Sequence, residues 1–171
     1  MTADPVTVTL SIGSNVDAEH HTRAALDALQ RRFGELTLSR VYESEAVGFD
    51  GNNFLNMVVA LQTDMPLAEL SQWLKSLEDE QGRRRGQARF SSRTLDVDIL
   101  TYGDLHGEHE GMKLPRPEVL KNAFVLWPLS EVMPDARHPE DGRRYRQLWQ
   151  NYDRSRQRLW PIDFQWNGRS L

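Results

Sequence analysis

Cysteine is absent from the 171 residues of the chain. Its absence excludes disulfide bonds, metal sites built on thiolates and catalytic cysteine nucleophiles. A chain without cysteine fits a reducing compartment, although it is compatible with any location. The first six residues also lack a basic region followed by a long apolar stretch, so a secretory signal is not expected. We therefore expect a cytoplasmic location.

Long apolar runs are missing too. No stretch approaches the roughly 20 residues that a helix needs to cross a bilayer, so no membrane partner is expected. With 39% apolar and 27% charged residues, the composition is that of an ordinary soluble globular protein. The length predicts one domain over residues 1–171. Its tail, after about residue 134, is polar, and the sequence does not tell how it packs, although some of its tryptophans are expected to dock on the body of the protein.

Two familiar nucleotide-binding patterns do not occur in the sequence. There is neither Gly-x-x-x-x-Gly-Lys-Ser/Thr nor Gly-x-Gly-x-x-Gly, so neither a P-loop nor a Rossmann site is supported. Internal repeats and low-complexity linkers are lacking as well. If the chain binds a nucleotide, it does so by other means.

Lysine is scarce, because only three of the 21 basic residues are lysine and the other eighteen are arginine. Arginine binds phosphate through a planar fork of donors. A genome-wide compositional bias would give the same excess, so position along the chain has to decide. The formal net charge of −4 argues against nucleic acid as a partner.

Hydrophobic periodicity predicts strands and helices in the order βαββαβα. The strands are predicted at Val6–Ile12, Leu36–Glu43, Phe54–Gln62 and Thr94–Tyr102, with a short further one at Met112–Leu114. The helices are predicted at Ala18–Arg32, Leu67–Glu80 and Pro117–Val132. This order indicates the α+β class, a ferredoxin-like sandwich with helices on one side of a mainly antiparallel sheet.

The sharpest local feature is Asp96 and Asp98 within the last long strand. Side chains two apart on a strand share a face, with Cα atoms about 6.6 Å apart at about 3.3 Å rise per residue. Leu95, Val97 and Ile99 then face the core. Two carboxylates at this spacing can hold Mg²⁺, or a pair of ions. The alternative is that they form only the solvated face of the strand.

An arginine-rich segment runs directly into this acidic strand. Residues 83–93 carry five arginines and no acid, and we interpret Gly82–Ser92 as a loop. A cationic loop beside two carboxylates suits a polyphosphate with its metal, since guanidinium groups neutralise phosphate oxygens. Such transfer depends on positioning and charge stabilisation, so a nucleophilic side chain is not needed. A solvated basic loop or an RNA contact is the alternative.

Ordered motifs then connect the chain to a known family. They are Ile12-Gly13-Ser14-Asn15, Phe54-Leu55-Asn56, Gln81-Gly82-Arg83, Arg93-Thr94-Leu95-Asp96-Val97-Asp98-Ile99 and Ala123-Phe124-Val125-Leu126-Trp127-Pro128-Leu129. With these motifs, from Val8 to about Glu131, the chain resembles 6-hydroxymethyl-7,8-dihydropterin pyrophosphokinase of folate synthesis. The resemblance implies a Mg²⁺-dependent pyrophosphokinase that uses ATP and two Mg²⁺ ions. It also implies attack by the pterin hydroxymethyl oxygen on the β-phosphorus, with release of AMP.

The resemblance also implies roles for charged residues. Asp96 and Asp98 match the metal ligands of the family. Arg83 and Arg93 match the catalytic arginines that stabilise the transferring group, and the further loop arginines Arg85 and Arg89 match positions near the ATP phosphates.

Glu78 matches a helix position beside the adenine, with a surface carboxylate as the alternative. Ile99 lies where the acidic strand flanks the nucleotide.

The pterin side of the site is implied in the same way. Asn56 matches the amide that reads the hydrogen-bonding edge of the pterin, with a turn residue as the alternative. Phe124 matches the ring that stacks on the pterin, with an ordinary core residue as the alternative. Ser44 and Val47 lie where backbone groups border the pterin, and Phe90 keeps an aromatic ring that could close over it.

The chain departs from the family pattern at substrate contacts. Phe90-Ser91-Ser92 stands where the family usually has Trp-Gly-Pro, which removes an indole N–H and a stiff turn. Glu45-Ala46 replaces a usual pair of prolines. Arg116, between two prolines, replaces a histidine that meets the ATP phosphates, and we expect Arg116 to bind ATP with a charge that does not titrate near neutrality.

Three other functions remain open from the sequence. A divergent paralogue could act on another hydroxymethyl heterocycle, and a non-catalytic module could bind a pterin or a nucleotide. An RNA-binding α+β domain would use the arginine loop, but the acidic total charge weakens this alternative. We expect small-molecule partners, ATP and a reduced pterin, and favour a monomer.

Overall fold

The computed structural model of the chain describes residues 4–45, 52–82 and 94–171. Within these ranges the strands are β1 Val6–Ser14, β2 Thr37–Leu38, β3 Val41–Ser44, β4 Phe54–Thr63, β5 Asp96–Tyr102, β6 Gly107–His109, β7 Met112–Leu114, β8 Leu159–Ile162, β9 Gln165–Trp166 and β10 Arg169–Ser170. The α-helices of the same ranges are α1 Ala18–Phe33, α2 Leu67–Glu80, α3 Glu118–Lys121, α4 Ala123–Val132 and α5 Tyr145–Gln150.

The main sheet has the strand order β5-β1-β4-β3-β8, with β2 also paired to β4. Every pairing in it is antiparallel. Two small hairpins, β6 with β7 and β9 with β10, lie outside this sheet. The predicted α+β class, a ferredoxin-like sandwich with a mainly antiparallel sheet and flanking helices, is confirmed.

Helices cover both faces of the sheet, and the prediction that they lie on one side is wrong. Val59 of β4 belongs to a core shared with α1 and α2. Its neighbour Val58 belongs to a second core shared with α3, α4 and α5. Because successive strand residues point to opposite faces, these two cores lie on opposite sides of the sheet. The nearly unbroken apolar run of β4 is the sequence signal for this double coverage.

Two helices follow the predicted pattern closely. α2 has the predicted ends, and its residues Leu70, Leu74 and Leu77 are buried. α1 ends one residue later than predicted, at Phe33. Gly34 follows with a φ of 85°, and its N–H donates to the carbonyl of Gln30 at 2.8 Å. Glycine adopts this backbone conformation without a Cβ penalty, so the predicted stop at Gly34 is confirmed.

The predicted strand 36–43 is interrupted at Ser39. The Ser39 hydroxyl accepts the N–H of Val58 at 2.9 Å, while the Ser39 N–H donates to the Val58 carbonyl at 3.0 Å. The same hydroxyl donates to the carbonyl of Arg40 at 2.7 Å. A serine side chain thus takes a place that a backbone carbonyl would fill, which divides the segment into β2 and β3.

The predicted helix 117–132 is also divided. Asn122 is extended, with φ −115° and ψ 122°, and separates α3 from α4. The Asn122 N–H closes α3 by donating to the Glu118 carbonyl at 2.9 Å, and the Asn122 carbonyl accepts from Leu126 at 2.9 Å to begin α4. The backbone groups of Asn122 therefore end one helix and begin the next.

The tail after residue 134 wraps around one edge of the sheet. Its helix α5 packs against α4, with Trp149 buried in the second core. β8 then pairs with the outer strand β3, and Trp166 enters the first core, where its indole N–H donates to Asp27 of α1 at 2.8 Å. Trp149 and Trp166 therefore dock as expected, while Trp160 on β8 is half-buried. None of the helices in the described ranges is long and apolar enough to cross a membrane.

His138 makes the turn before α5 sensitive to acid. Its Nδ1 accepts the backbone N–H groups of Glu140 and Asp141, both at 3.1 Å, so the ring proton sits on Nε2. Burial lowers the pKa of His138, although Asp141 and Glu140 oppose this effect. The ring also meets Tyr145 edge-on at 6.3 Å. Protonation of Nδ1 would remove the acceptor from both N–H groups.

We expect the free energy of unfolding to decrease as the pH is lowered, because of His138. Its lowered pKa means that the unfolded chain takes up the proton first as pH drops below about 6.5. His138→Phe should keep the ring packing but lose about 1–3 kcal/mol of unfolding free energy at pH 7.5. It should also flatten the decline in stability between about pH 7 and pH 5. Urea unfolding across this range tests both effects, with the exposed His106→Phe as control. An unchanged pH slope in His138→Phe would assign the acid sensitivity to other groups.

Candidate active site

The acidic strand presents its carboxylates on the face covered by α4. Asp96, Asp98 and Leu100 share one side of β5, and Leu100 is buried in the core formed with α3, α4 and α5. Val97 and Ile99 face the opposite core, as predicted. Asp96 and Asp98 are only half-buried, so they extend beyond the part of the sheet that the helices close off.

Asn56 lies two strands away from Asp96 at the same level of the sheet. Gly13 of β1 is opposite Asp96 on one side and opposite Asn56 on the other. Neighbouring strands are about 4.8 Å apart, so the backbones of Asp96 and Asn56 are separated by roughly 10 Å. A Cβ atom at Gly13 would lie 3.5 Å from Asn56 Oδ1. Glycine therefore leaves a flat floor between the carboxylates and the amide.

The Asn56 amide is joined to Ser44, the second residue predicted on the pterin side. Its Nδ2 donates to Ser44 Oγ at 2.8 Å, and both side chains are buried. Asn56 lies inside β4, paired with Tyr42 of β3, so the alternative that it is a turn residue is wrong. The pair presents amide and hydroxyl groups beside the glycine floor, which is a hydrogen-bonding edge for a planar polar ligand.

Glu78 is held inside the protein by the acidic strand. Its Oε2 accepts the backbone N–H of Val97 at 2.9 Å, and the residue is 5% exposed. The alternative that Glu78 is a surface carboxylate is wrong. The bond lies between the two aspartates in sequence, so Glu78 fixes the position of the backbone that carries them.

Phe124 and Ile99 are placed differently with respect to this face. Phe124 lies in the first turn of α4 and packs, partly buried, against the core on the site's side of the sheet. The Ile99 side chain is buried on the opposite side, so only its backbone can border a ligand here. Neither placement tests the contact with pterin or nucleotide that was predicted.

Arg116 reaches the acidic strand from the segment before α3. Its backbone N–H donates to the Leu100 carbonyl at 2.8 Å, which anchors the residue to β5. Its Nη2 lies 3.7 Å from Asp98 Oδ1, and its Nε lies 3.1 Å from Glu118 Oε2. The guanidinium group therefore stands beside the carboxylates, with about a third of its side chain exposed.

The electrostatics of this strand are unbalanced. Burial, followed by repulsion from Asp96, raises the pKa of Asp98 to about 7. Glu78 and Glu118 act in the same direction, and Arg116 opposes them. Within the described ranges Arg116 is the arginine recorded beside these carboxylates, and it offsets only part of their negative charge, which suits a bound cation.

The carboxylates of Asp96 and Asp98 are a suitable but incomplete set of ligands for Mg²⁺. Among the described residues, no group of three or more His, Asp or Glu side chains is arranged as a metal cage. Two carboxylates alone suit Mg²⁺, which keeps several waters and is commonly completed by substrate phosphates. A metal at Asp96 and Asp98 would therefore depend on its nucleotide.

The Gly13-Ser14-Asn15 motif ties neighbouring segments to this floor. Ser14 Oγ donates to the carbonyl of Thr94, two residues before Asp96. Asn15 Nδ2 donates to the Asn52 carbonyl at 3.1 Å, two residues before β4 begins. Sequence reasoning quoted this motif without assigning these roles, and it also missed Glu118. The partners of Ser14 and Asn15 are distant in the chain, so no local pattern indicates these bonds. For Glu118, the only signal in the sequence is its position two residues after Arg116.

Several predicted site residues lie outside the described residues. These are Val47, Arg83, Arg85, Arg89, Phe90 and Arg93.

Comparison with known proteins shows which family the chain resembles. Residues 9–134 match the family model of 7,8-dihydro-6-hydroxymethylpterin-pyrophosphokinase. The 2-amino-4-hydroxy-6-hydroxymethyldihydropteridine pyrophosphokinase of Pseudomonas aeruginosa is 37% identical over 145 residues, which cover 82% of this chain and 88% of that protein. The enzyme of the same name from Aquifex aeolicus is 36% identical over 135 residues, or 78% of this chain and 84% of that protein.

A solved structure supports the fold independently. Plasmodium falciparum HPPK-DHPS with pteroate superposes with a TM-score of 0.68 at 13% identity. The match covers 89% of this chain but only 45% of that longer one, so it speaks for the fold alone.

These matches define the class of protein as a pyrophosphokinase, an enzyme of diphosphoryl transfer. The chain belongs to the 7,8-dihydro-6-hydroxymethylpterin-pyrophosphokinase family. The reaction of this family is pyrophosphoryl transfer from ATP to hydroxymethyldihydropterin in folate biosynthesis.

Proposed function

We propose that this chain binds ATP and 6-hydroxymethyl-7,8-dihydropterin next to each other on the sheet face that carries Asp96, Asp98 and Asn56, and transfers the pyrophosphoryl group between them. The observation that carries the proposal is the arrangement of Asp96, Gly13 and Asn56 across three adjacent strands. The carboxylates and the amide are close enough for two bound molecules to meet above the glycine.

The pterin half of the site is proposed at Asn56 and Ser44. The buried amide and hydroxyl would bind the polar edge of the ring, and Phe124 would stack on its face. Buried polar groups of this kind reject ligands that leave them unpaired, so they would also provide specificity. Val47 and Phe90 complete this half of the proposal.

The nucleotide half is proposed at the acidic strand. Asp96 and Asp98 would hold two Mg²⁺ ions, which when bound supply positive charge at the phosphates. Glu78 holds the strand through Val97 N–H, and Arg116 already stands at Asp98, where phosphate oxygens would arrive. The arginines proposed to act on the phosphates are Arg83, Arg85, Arg89 and Arg93.

The proposed step is a single displacement. The hydroxymethyl oxygen of the pterin forms a bond to the β-phosphorus and loses its proton, while the bond from the β-phosphorus to the bridging oxygen of the α-phosphate breaks and AMP leaves. The chain's own residues orient the two substrates and stabilise charge, which is the main protein contribution to phosphoryl-type transfer.

The test is incubation with ATP, Mg²⁺ and the reduced hydroxymethylpterin, with AMP and ADP separated by chromatography. AMP that forms only when pterin and Mg²⁺ are both present is the expected product. ADP would indicate simple phosphoryl transfer. Pterin binding without any AMP would favour the non-catalytic module, and activity only on another hydroxymethyl heterocycle would favour the paralogue.

We further propose that the enzyme is a cytoplasmic monomer with one domain over residues 1–171. The proposed site is built from residues of a single chain, and the tail packs on α1, α4 and β3 of the same body. Sedimentation with and without both substrates checks the oligomeric state.

A further inference from the structure

The α3–α4 junction directly precedes the proposed pterin-stacking residue. Asn122 is the extended residue between the helices, Ala123 begins α4, and Phe124 follows. The first N–H groups of a helix have no partner within that helix. Asn122 stands at the cap position, yet its side chain makes no capping bond to α4. The start of α4 therefore needs a partner from elsewhere.

The C-terminal tail supplies that partner. Gln157 Oε1 accepts the N–H of Ala123 at 2.6 Å. Gln157 Nε2 donates to Asn122 Oδ1 at 3.1 Å. One side chain, 34 residues further along the chain than Ala123, thus satisfies the first backbone donor of α4 and also binds the side-chain oxygen of its cap residue.

A second tail residue holds the other side of the junction. The hydroxyl of Tyr152 donates to the carbonyl of Lys121, the last residue of α3, at 2.6 Å. The Tyr152 ring stacks on Trp149 at 5.6 Å, and Trp149 stacks on Trp127 of α4 at 4.9 Å. The tail therefore contacts three successive residues, 121–123, immediately before Phe124.

We propose that Gln157 is a positioning residue for pterin binding, which acts by holding the first turn of α4 and with it the ring of Phe124. The inference rests on the proposed role of Phe124. Helix ends without partners fray, so loss of Gln157 would let the Phe124 ring leave its stacking position. The hydrogen bonds of the Gln157 side chain in the described ranges go to Asn122 and Ala123 and not to the acidic strand, so we expect nucleotide binding to be independent of it.

Gln157→Leu removes both hydrogen bonds at nearly constant size. We expect the Kd for the pterin to rise about tenfold, a ratio that corresponds to about 1.4 kcal/mol. The Kd for an ATP analogue, measured separately, should stay unchanged. Gln157→Glu keeps an acceptor for Ala123 N–H and should restore part of the pterin affinity. The matched control is Gln150→Leu, which changes an exposed glutamine of the same tail.

A double-mutant cycle separates positioning from general stability. In a Phe124→Ala background, Gln157→Leu should have no further effect on the pterin Kd, since the two residues act through one ring. Equal effects of Gln157→Leu with and without Phe124 would overturn the inference, as would an unchanged pterin Kd in the single variant. If Phe124→Ala alone leaves pterin affinity intact, the proposed site itself fails. Thermal unfolding of each variant confirms that folded proteins are compared.

Discussion

Asp98→Ala should lower kcat by at least about 100-fold, the scale for losing one major electrostatic stabiliser of a transition state. The reason is the concentration of charge on β5. Burial and the neighbouring carboxylates of Asp96, Glu78 and Glu118 all disfavour the charged form of Asp98 and raise its pKa. A divalent cation bound together with the phosphates of ATP would relieve this repulsion between the carboxylates.

The matched control for this variant is Asp104→Ala, which removes an exposed aspartate in the turn after the same strand. It should keep normal turnover. Asp98→Ala should fold at least as well as the unchanged protein, because it removes one of the mutually repelling carboxylates. Near-normal turnover of Asp98→Ala at moderate Mg²⁺ would contradict the metal assignment.

Alternation along the acidic strand could be predicted from the sequence because its cause is local. Asp96 and Asp98 alternate with Val97 and Ile99, so the carboxylates lie on one face of the strand and the two apolar side chains are buried on the other. The same holds for α2, where leucines at helical spacing determine which side is buried.

Features that depend on distant partners could not be predicted in this way. The break at Ser39 follows from a hydroxyl bond to Val58, 19 residues away. The burial of Glu78 follows from its bond to Val97, also 19 residues away. Propensity would place each residue on a surface or in an unbroken element, and the tertiary hydrogen bond overrides it.

The contacts of the Arg116 side chain could be predicted only in part from the sequence. The residue type indicated a phosphate contact, but not which residues of the chain would lie beside the guanidinium group. Its nearness to Asp98 and Glu118 arises because its backbone N–H is bonded to Leu100. The guanidinium group is thereby brought to the acidic strand, where it partly balances Asp98.

Arg116→Ala should weaken ATP binding by about 1.5–3 kcal/mol, the scale of a hydrogen bond to a charged group. Binary binding of the pterin should remain nearly unchanged, since Asn56 and Ser44 lie on other strands. In the proposed complex, cations at Asp96 and Asp98 would free the guanidinium group to bind phosphate oxygens through its planar fork. Arg116→Lys keeps the charge but not the planar fork of donors, so its affinity for ATP should lie between those of the unchanged protein and Arg116→Ala.

Calorimetric titration with a non-hydrolysable ATP analogue and Mg²⁺ decides this prediction. Arg146→Ala is the matched control, since it removes an arginine whose partner is the exposed Asp135 and changes the net charge equally. An unchanged ATP affinity in Arg116→Ala would mean that Arg116 only balances Asp98 and Glu118. The histidine that the sequence resemblance leads us to expect at this position would then have no replacement, and this result would favour a weakened or repurposed paralogue.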